Sequence, residues 1–278
     1  MTSPLAQVMA IVNRTPDSFY DKGATFAVDA AVARADEVIA QGASIVDVGG
    51  VKAGPGDDVS PQEEIDRVVP VIEGVRQRHP EVGISVDTWR AQVAQVAVDA
   101  GADLINDTWA GWDPELVEVA GANRVGYVCS HTGGVTPRTR PHRVHYDDVV
   151  ADVVRETTRL AERAASLGVP EDQVFIDPTH DFGKNTFHGL EILRRVDELV
   201  ATGWPVLMAL SNKDFVGETL DRPVGDRVAG TLAATAWCAA RGVAAFRVHE
   251  VEETIDVIRM TAAIRGEVAP LNTVRGLA

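Results

Sequence analysis

Eight short apolar runs, each followed by a longer stretch of helical spacing, predict an α/β fold: a single (β/α)8 TIM barrel over residues 1–265, with its site at the C-terminal mouth of the strands and a tail at 266–278. Two further observations narrow the choice. No Pro/Gly/Ser linker or break in composition divides the 278 residues, and single barrels of this type typically run to about 250 residues. The rival, an open doubly wound sheet, usually carries a G-x-G-x-x-G turn after its first strand, and the sequence has none.

Val8 to Val12 reads as a buried strand that stops at Asn13, with Pro16 barring any continuation of the ladder. The loop behind it carries Arg14, Asp17, Ser18, Tyr20, Asp21 and Lys22, with Gly23 as a hinge. Further strands are expected at Ser44 to Val48, Gly83 to Val86, Ala102 to Ile105, Val125 to Cys129, Val174 to Ile176, Pro205 to Leu210 and Ala244 to Val248. Between them, Val28 to Gln41 has apolar spacing of three and four and stops at Gly42. Pro61 to Arg78 opens with Ser60 as N-cap, proline at its first position and Glu63 and Glu64 in its first turn. Arg90 to Ala100, Pro114 to Ala120, Asp147 to Leu167, Leu190 to Thr202, Gly225 to Arg241 and Val251 to Ile264 complete the alternation, most of them ending at a glycine. The longest irregular stretch, Ser130 to Tyr146, reads as a functional loop.

A net charge of −15 excludes general binding to nucleic acid or to anionic membranes, which clustered Lys and Arg would have to hold. A small anion in a locally positive pocket remains open. Cys129 and Cys238, both in apolar segments, fit reduced thiols in a cytoplasmic protein better than a disulfide framework. The N-terminus lacks a basic and apolar leader pattern, and no apolar run approaches the ~18 residues of a membrane span.

Polar residues close every strand: Asn13, Asp47, Asp87, Asn106 with Asp107, Ser130 with His131, Asp177, Ser211 with Lys213, and Arg247 with His249. In a barrel these converge at one mouth, where such folds carry their active sites. Asp47 and Asp107 also admit a plainer reading as N-caps of the following helix. Asp87, Asn106, Asp177 and Lys213 supply acceptors and donors suited to the edge of a nitrogen heterocycle, since a carboxylate takes two N–H groups and an amide matches a donor–acceptor pair. Arg247 and His249, two apart on one strand, point the same way and form a compact anion site, or else a surface pair on the acidic helix that follows. Asn13 is placed to hold a hydrated magnesium bridging that anion. With no Ser/His/Asp order, H-E-x-x-H or P-loop, hydrolysis by a protein nucleophile is not suggested.

These residues resemble the dihydropteroate synthases over nearly the whole chain. N-R-T-P-D-S-F-Y-D-K-G is similar to that family's N-V-T-P-D-S-F-S-D-G-G, and D-V-G-G at Asp47 to Gly50 opens its second loop. S-V-D-T, I-N-D, I-D-P with F-G-K-N ending near Lys184, S-N-K, G-T-L-A and R-V-H follow in the family's order. The resemblance implies a transferase that joins a dihydropterin methyl diphosphate to p-aminobenzoate with loss of diphosphate, using Mg2+, in folate biosynthesis. By matching position, Asp87, Asn106, Asp177, Ser211 and Lys213 bind the pterin, with Phe182 lining its slot. Asn13, Arg247 and His249 hold the diphosphate, and Asn13 its magnesium. Asn13, Lys213, Arg247 and His249 then carry the catalysis, which is electrostatic and needs no covalent intermediate.

Departures from the pattern are concentrated. The family's D-I-G-G-E-S-T-R-P-G is D-V-G-G-V-K-A-G-P-G here, so Val51, Ala53 and Gly54 replace Glu, Thr and Arg. S-R-K becomes S-N-K at Asn212, and D-P-G-I-G-F-G-K becomes D-P-T-H-D-F-G-K, with Thr179 and Asp181 for two glycines. Arg14 stands where the family has an apolar residue. The pterin floor is therefore kept and the second-substrate side rewritten. Charge-assisted contacts are worth about 1.5–3 kcal/mol each, so two lost arginines predict a large loss of turnover unless Arg14 and Lys52 take their place on the diphosphate. The alternatives are a paralogue that binds pterin with a lost or changed reaction, and a methyltetrahydrofolate-binding methyltransferase domain, which R-V-H with Asn13 argues against. A homodimer is the family's habit, through a face such as A-A-T-A-W-C-A-A, although helix packing on the barrel also accounts for that composition.

Overall fold

The computed structural model describes residues 5–15, 27–139 and 145–275, so Asp17 to Gly23 of the first loop lie outside the described residues. Eight parallel strands form one sheet: β1 (Gln7–Asn13), β2 (Ile45–Gly49), β3 (Gly83–Asp87), β4 (Leu104–Asp107), β5 (Gly126–Ser130), β6 (Val174–Asp177), β7 (Leu207–Met208) and β8 (Ala245–Val248). Their order is β6-β5-β4-β3-β2-β1-β8-β7. A parallel bridge between Ile176 and Val206 brings the two edges together, making the predicted barrel. β7 is shorter than expected. Pro205 has no N–H for a ladder, and its carbonyl instead accepts from the Ile176 N–H at 2.8 Å.

The helices α1 (Val28–Ala40), α2 (Pro61–Arg78), α3 (Ala91–Asp99), α4 (Leu116–Asn123) and α5 (Val149–Ser166) follow the first five strands. Ser60 caps α2 by accepting from the Glu63 N–H at 3.2 Å, and Gly42 and Gly101 end α1 and α3 with φ of 107° and 114°. Beyond β6 the predicted single helix is two, α6 (Thr186–Arg194) and α7 (Val196–Val200). Asn185 and His188 form a capping box that starts α6 early, and the backbone breaks at Arg195, whose guanidinium is tied to Asp148 and Glu198. α8 (Asp214–Leu220) was not expected; α9 (Val228–Ala239) and α10 (Val251–Arg265) complete the ring. No helix among the described residues is long and apolar enough to cross a membrane.

Strand alternation explains where the site lies. Val8, Ala10 and Val12 face the helices, while Met9 joins Ile45, Leu104, Val128, Phe175, Leu207, Ala209 and Ala245 in an apolar plug inside the barrel. Two residues further along each strand, the same parity gives Asp47, Asn106, Asp177, Ser211 and Arg247. Register sets Asn13, Gly49, Asp87 and Asn106 in one row. Asp107 has the opposite parity and serves the loop: it accepts from the N–H groups of Trp109 (3.0 Å) and Gly111 (2.6 Å) and from the buried Tyr127 hydroxyl (2.7 Å). Removing that hydroxyl leaves a buried acceptor short of a donor, so Tyr127→Phe is expected to destabilise the fold by about 1–3 kcal/mol. Urea unfolding at pH 7 checks this, and an unshifted midpoint would sink the assignment.

Candidate active site at the barrel mouth

The mouth holds a cavity of about 610 Å³ lined by Asn13, Lys52, Asp87, Asn106, Asp177, Phe182, Ser211, Lys213, Arg247 and His249, among others. At its base Arg247 reaches from β8 across the barrel. Its Nε donates to Asp47 Oδ2 at 2.6 Å and one terminal nitrogen to Asp87 Oδ2 at 2.7 Å. Asn106 Nδ2 also donates to Asp47 Oδ2 (3.3 Å), and the Thr108 hydroxyl to Asp87 Oδ1 (2.7 Å). Burial opposes the Arg247 charge, but Asp47 and Asp87 outweigh it and hold its pKa above the ordinary value. Burial pushes Asp87 upward, against the pull of Arg247. Asp47 is therefore a partner of the site's arginine and not a helix cap.

Asp177 ends β6 and accepts from the Thr179 N–H at 2.7 Å. Burial raises its pKa to about 6, with Thr179, Lys213 and Lys184 working the other way. Lys213 lies with Nζ 5.0 Å from the Phe182 ring centre, and its pKa is lowered by burial against the attraction of Asp181 and Asp177. Thr179 and Asp181, which replace the motif's glycines, keep a left-handed backbone with φ of 52° and 71°, a conformation that costs an L residue about 1–2 kcal/mol. Hydrogen bonds offset the cost. Thr179 Oγ1 accepts from the His131 N–H (3.2 Å) and donates to Asp177 O (3.0 Å), while Asp181 Oδ2 accepts from the Asp214 N–H (2.6 Å) at the start of α8. Lys184, given no role by the sequence, donates to the carbonyls of His131 (2.7 Å), Phe182 (2.9 Å) and Thr179 (3.3 Å) and fixes the loop that carries Phe182. Burial lowers its pKa to about 7.

Asn13 fits at the mouth because Gly49 has no side chain; a Cβ there would lie 2.8 Å from Asn13 Oδ1. His249 Nδ1 is 2.9 Å from Ser211 Oγ, which donates to Glu250 Oε2 at 2.6 Å. Asn212 is buried and donates through Nδ2 to Glu250 Oε1 at 2.6 Å. Glu250 follows R-V-H directly and carries no motif signal of its own in the sequence. Arg14 departs from expectation: its guanidinium donates to the α2 carbonyls of Asp66 (2.7 Å) and Arg67 (2.8 Å) and does not line the cavity. Lys52 does line it.

The second loop forms the opposite wall. Val51 and Ala53 pack with Trp89, Trp109, Val135 and Phe182 in one apolar cluster, and Trp109 meets Phe182 edge to face at 5.0 Å between centroids. Three guanidiniums strap this loop by its carbonyls: Arg67 on Gly50 (2.8 Å), Arg90 on Val59 (2.8 Å) and Arg138 on Gly54 (3.4 Å). Trp109 was legible only as a large residue two positions past I-N-D.

A family profile described as a pterin binding enzyme matches residues 9–249. The Mycobacterium leprae protein named inactive dihydropteroate synthase 2 is 62% identical, covering 98% of this chain and 94% of its own. Dihydropteroate synthase of Haemophilus influenzae is 37% identical, covering 92% and 93%. The crystal structure of Yersinia pestis dihydropteroate synthase in a sulfonamide drug complex superposes with a TM-score of 0.88 at 36% identity, over 94% of this chain and 95% of that one. The profile, the relatives and the barrel agree: the chain belongs to the dihydropteroate synthase family of pterin-binding enzymes.

Proposed function

We propose that this chain binds a dihydropterin in the barrel mouth and has lost most or all of the synthesis of dihydropteroate. One observation carries the reading: Asp87, Asn106, Asp177 and Lys213 converge with Phe182 in a single cavity whose second-substrate wall has Ala53 and Gly54 at the positions of the motif's Thr and Arg. The name of the Mycobacterium leprae relative supports it. In the family's reaction the pterin methylene–oxygen bond breaks, diphosphate leaves with the electron pair, and an amine nitrogen takes its place. Here Asp177 and Asn106 orient the ring by accepting from and donating to its edge, Lys213 and Phe182 close over it, and the low-dielectric floor strengthens each contact. The diphosphate would meet Arg247, His249 and Lys52, but two of the Arg247 nitrogens are already engaged by carboxylates.

Magnesium tends to keep several waters and to be held by one or two protein oxygens together with phosphate. Among the described residues no group of three or more His, Cys, Asp or Glu could hold a metal, and Asn13 lines the cavity beside Arg247 and His249. This donor set fits an ion that arrives with the diphosphate, where it would share the leaving group's charge. A cytoplasmic setting suits the buried thiols of Cys129 and Cys238, and pairing of two copies through the α9 face around the half-exposed Trp237 belongs to the same reading.

Two outcomes test the function. The carboxylate of Asp177 is the form that accepts pterin N–H groups, and its raised pKa makes it a neutral acid below about 6. Pterin affinity is therefore expected to be nearly flat well above pH 7 and at least tenfold weaker at pH 5, while Asp177→Asn binds about 10–100-fold more weakly at pH 7.5 and keeps only the pH dependence of Asp87, whose pKa burial also raises to about 6. Calorimetric titration with dihydropterin diphosphate and magnesium measures both, and wild-type affinity in the variant would refute the floor assignment. In a diphosphate-release assay with p-aminobenzoate the unaltered chain is expected to turn over at background, and the double change Ala53→Thr with Gly54→Arg to raise the rate. Rapid release by the unaltered chain would show that the loop changes are tolerated.

A further inference from the structure

One serine hydroxyl at the mouth has more acceptors around it than protons to give. Ser211 Oγ lies 2.6 Å from Glu250 Oε2 and 2.9 Å from His249 Nδ1, and it accepts from the His249 main-chain N–H at 3.3 Å. Glu250 is buried and stands at the start of α10, where the first N–H groups of a helix favour a carboxylate. Its other oxygen accepts from Asn212 Nδ2 at 2.6 Å. A carboxylate accepts and does not donate, so the single proton of the Ser211 hydroxyl goes to Glu250. His249 Nδ1 then faces an oxygen lone pair, which it can meet only as an N–H donor.

The charge behind this chain of hydrogen bonds is not balanced locally. Asn212 stands where the family motif has arginine, so both groups that donate to the Glu250 carboxylate are uncharged. The neighbouring guanidiniums are engaged elsewhere: Arg227 donates to the Asn212 carbonyl (2.9 Å) and to Asp214 (3.0 Å), and Arg34 to Glu37 (2.7 Å) and the His249 carbonyl (3.2 Å).

We infer that Glu250 is a positioning residue of the mouth: acting through Ser211, it fixes the proton of the His249 ring on Nδ1, so that the neutral ring carries a lone pair and no proton at Nε2. A lone pair repels a phosphate oxygen where an N–H would attract it, and the Glu250 charge one hydroxyl away adds to the repulsion. The inference deepens the function proposed above, because it supplies a cause, separate from the pterin floor, for weak retention of a diphosphate.

The test uses the full chain and needs no pterin. Long-range proton–nitrogen correlation spectra of histidine-labelled protein, with His249→Asn identifying the signals, are expected to show the neutral ring protonated at Nδ1. In Glu250→Gln the new amide can keep its oxygen on Asn212 and donate its N–H to Ser211, whose proton then turns to His249 Nδ1. The neutral ring of that variant is expected to carry its proton on Nε2. Inorganic pyrophosphate without magnesium, titrated calorimetrically, is expected to bind Glu250→Gln about tenfold more tightly than the unaltered chain, since a buried negative charge is gone and a donor replaces a lone pair. Protonation at Nε2 in the unaltered chain overturns the inference, as does an unchanged tautomer or no gain in pyrophosphate affinity in Glu250→Gln. Should that variant not fold, Ser211→Ala decides: it cuts the link and is expected to populate both tautomers, and retention of the Nδ1 proton alone refutes the role of Glu250. Failure of the pterin reading is separable, because the tautomer is read without ligand and the dihydropterin titration reports on the floor.

Discussion

The mouth of the barrel depends on one interaction, the double ion pair of Arg247 with Asp47 and Asp87. It joins β8 to β2 and β3 across the barrel axis, and the amide of Asn106 and the hydroxyl of Thr108 extend it to β4 and the loop beyond. A buried charge is tolerated only when paired, and stripping one partner from such a pair typically costs about 3–5 kcal/mol. The network thus holds four strand ends in a fixed relation before any ligand enters. Strand register makes it possible, because Asn13, Gly49, Asp87 and Asn106 fall in one row above the apolar plug.

Charge is balanced within that frame on a chain of net −15. Lys213 and Lys184 face Asp177 and Asp181, and Arg247 faces Asp47 and Asp87. Burial raises Asp87 and Asp177, so these carboxylates gain from N–H donors supplied by a flat heterocycle. Holding a multiply charged leaving group is a different demand. It needs cations in excess, and the cavity offers Lys52 together with an arginine already engaged twice by carboxylates. The site is therefore better prepared to recognise a ring than to expel a diphosphate.

Most of this was legible in the sequence because the signals are periodic. Alternating strands and helices gave the barrel, and residues ending the strands gave the site; parity along each strand then separates inward Asp47 from outward Asp107, a distinction that capping preference alone leaves open. What was not legible depends on contacts distant in sequence. α8 begins where Asp181 accepts from the Asp214 N–H, 33 residues away, and Arg14 is drawn to α2 carbonyls 52 and 53 residues on. Lys184 looked like one member of a motif, yet its three carbonyl partners make it the pin of the Phe182 loop.

The altered positions are built into their surroundings, which argues against unconstrained drift in surface loops. Asn212 and Ser211 share Glu250, Asp181 caps α8, and Ala53 sits in an apolar cluster with two tryptophans. Thr179 and Asp181 retain a backbone that glycine would adopt without strain, and both recover the cost through hydrogen bonds that glycine could not make. Such replacements support one another. An arginine at position 212 alone would lose the buried amide that donates to Glu250, while Thr231 and Arg227 hold the Asn212 main chain in place. The floor and the second wall thus answer to different constraints: the floor is locked by the Arg247 network, whereas the wall is held by apolar packing and by guanidiniums on its carbonyls.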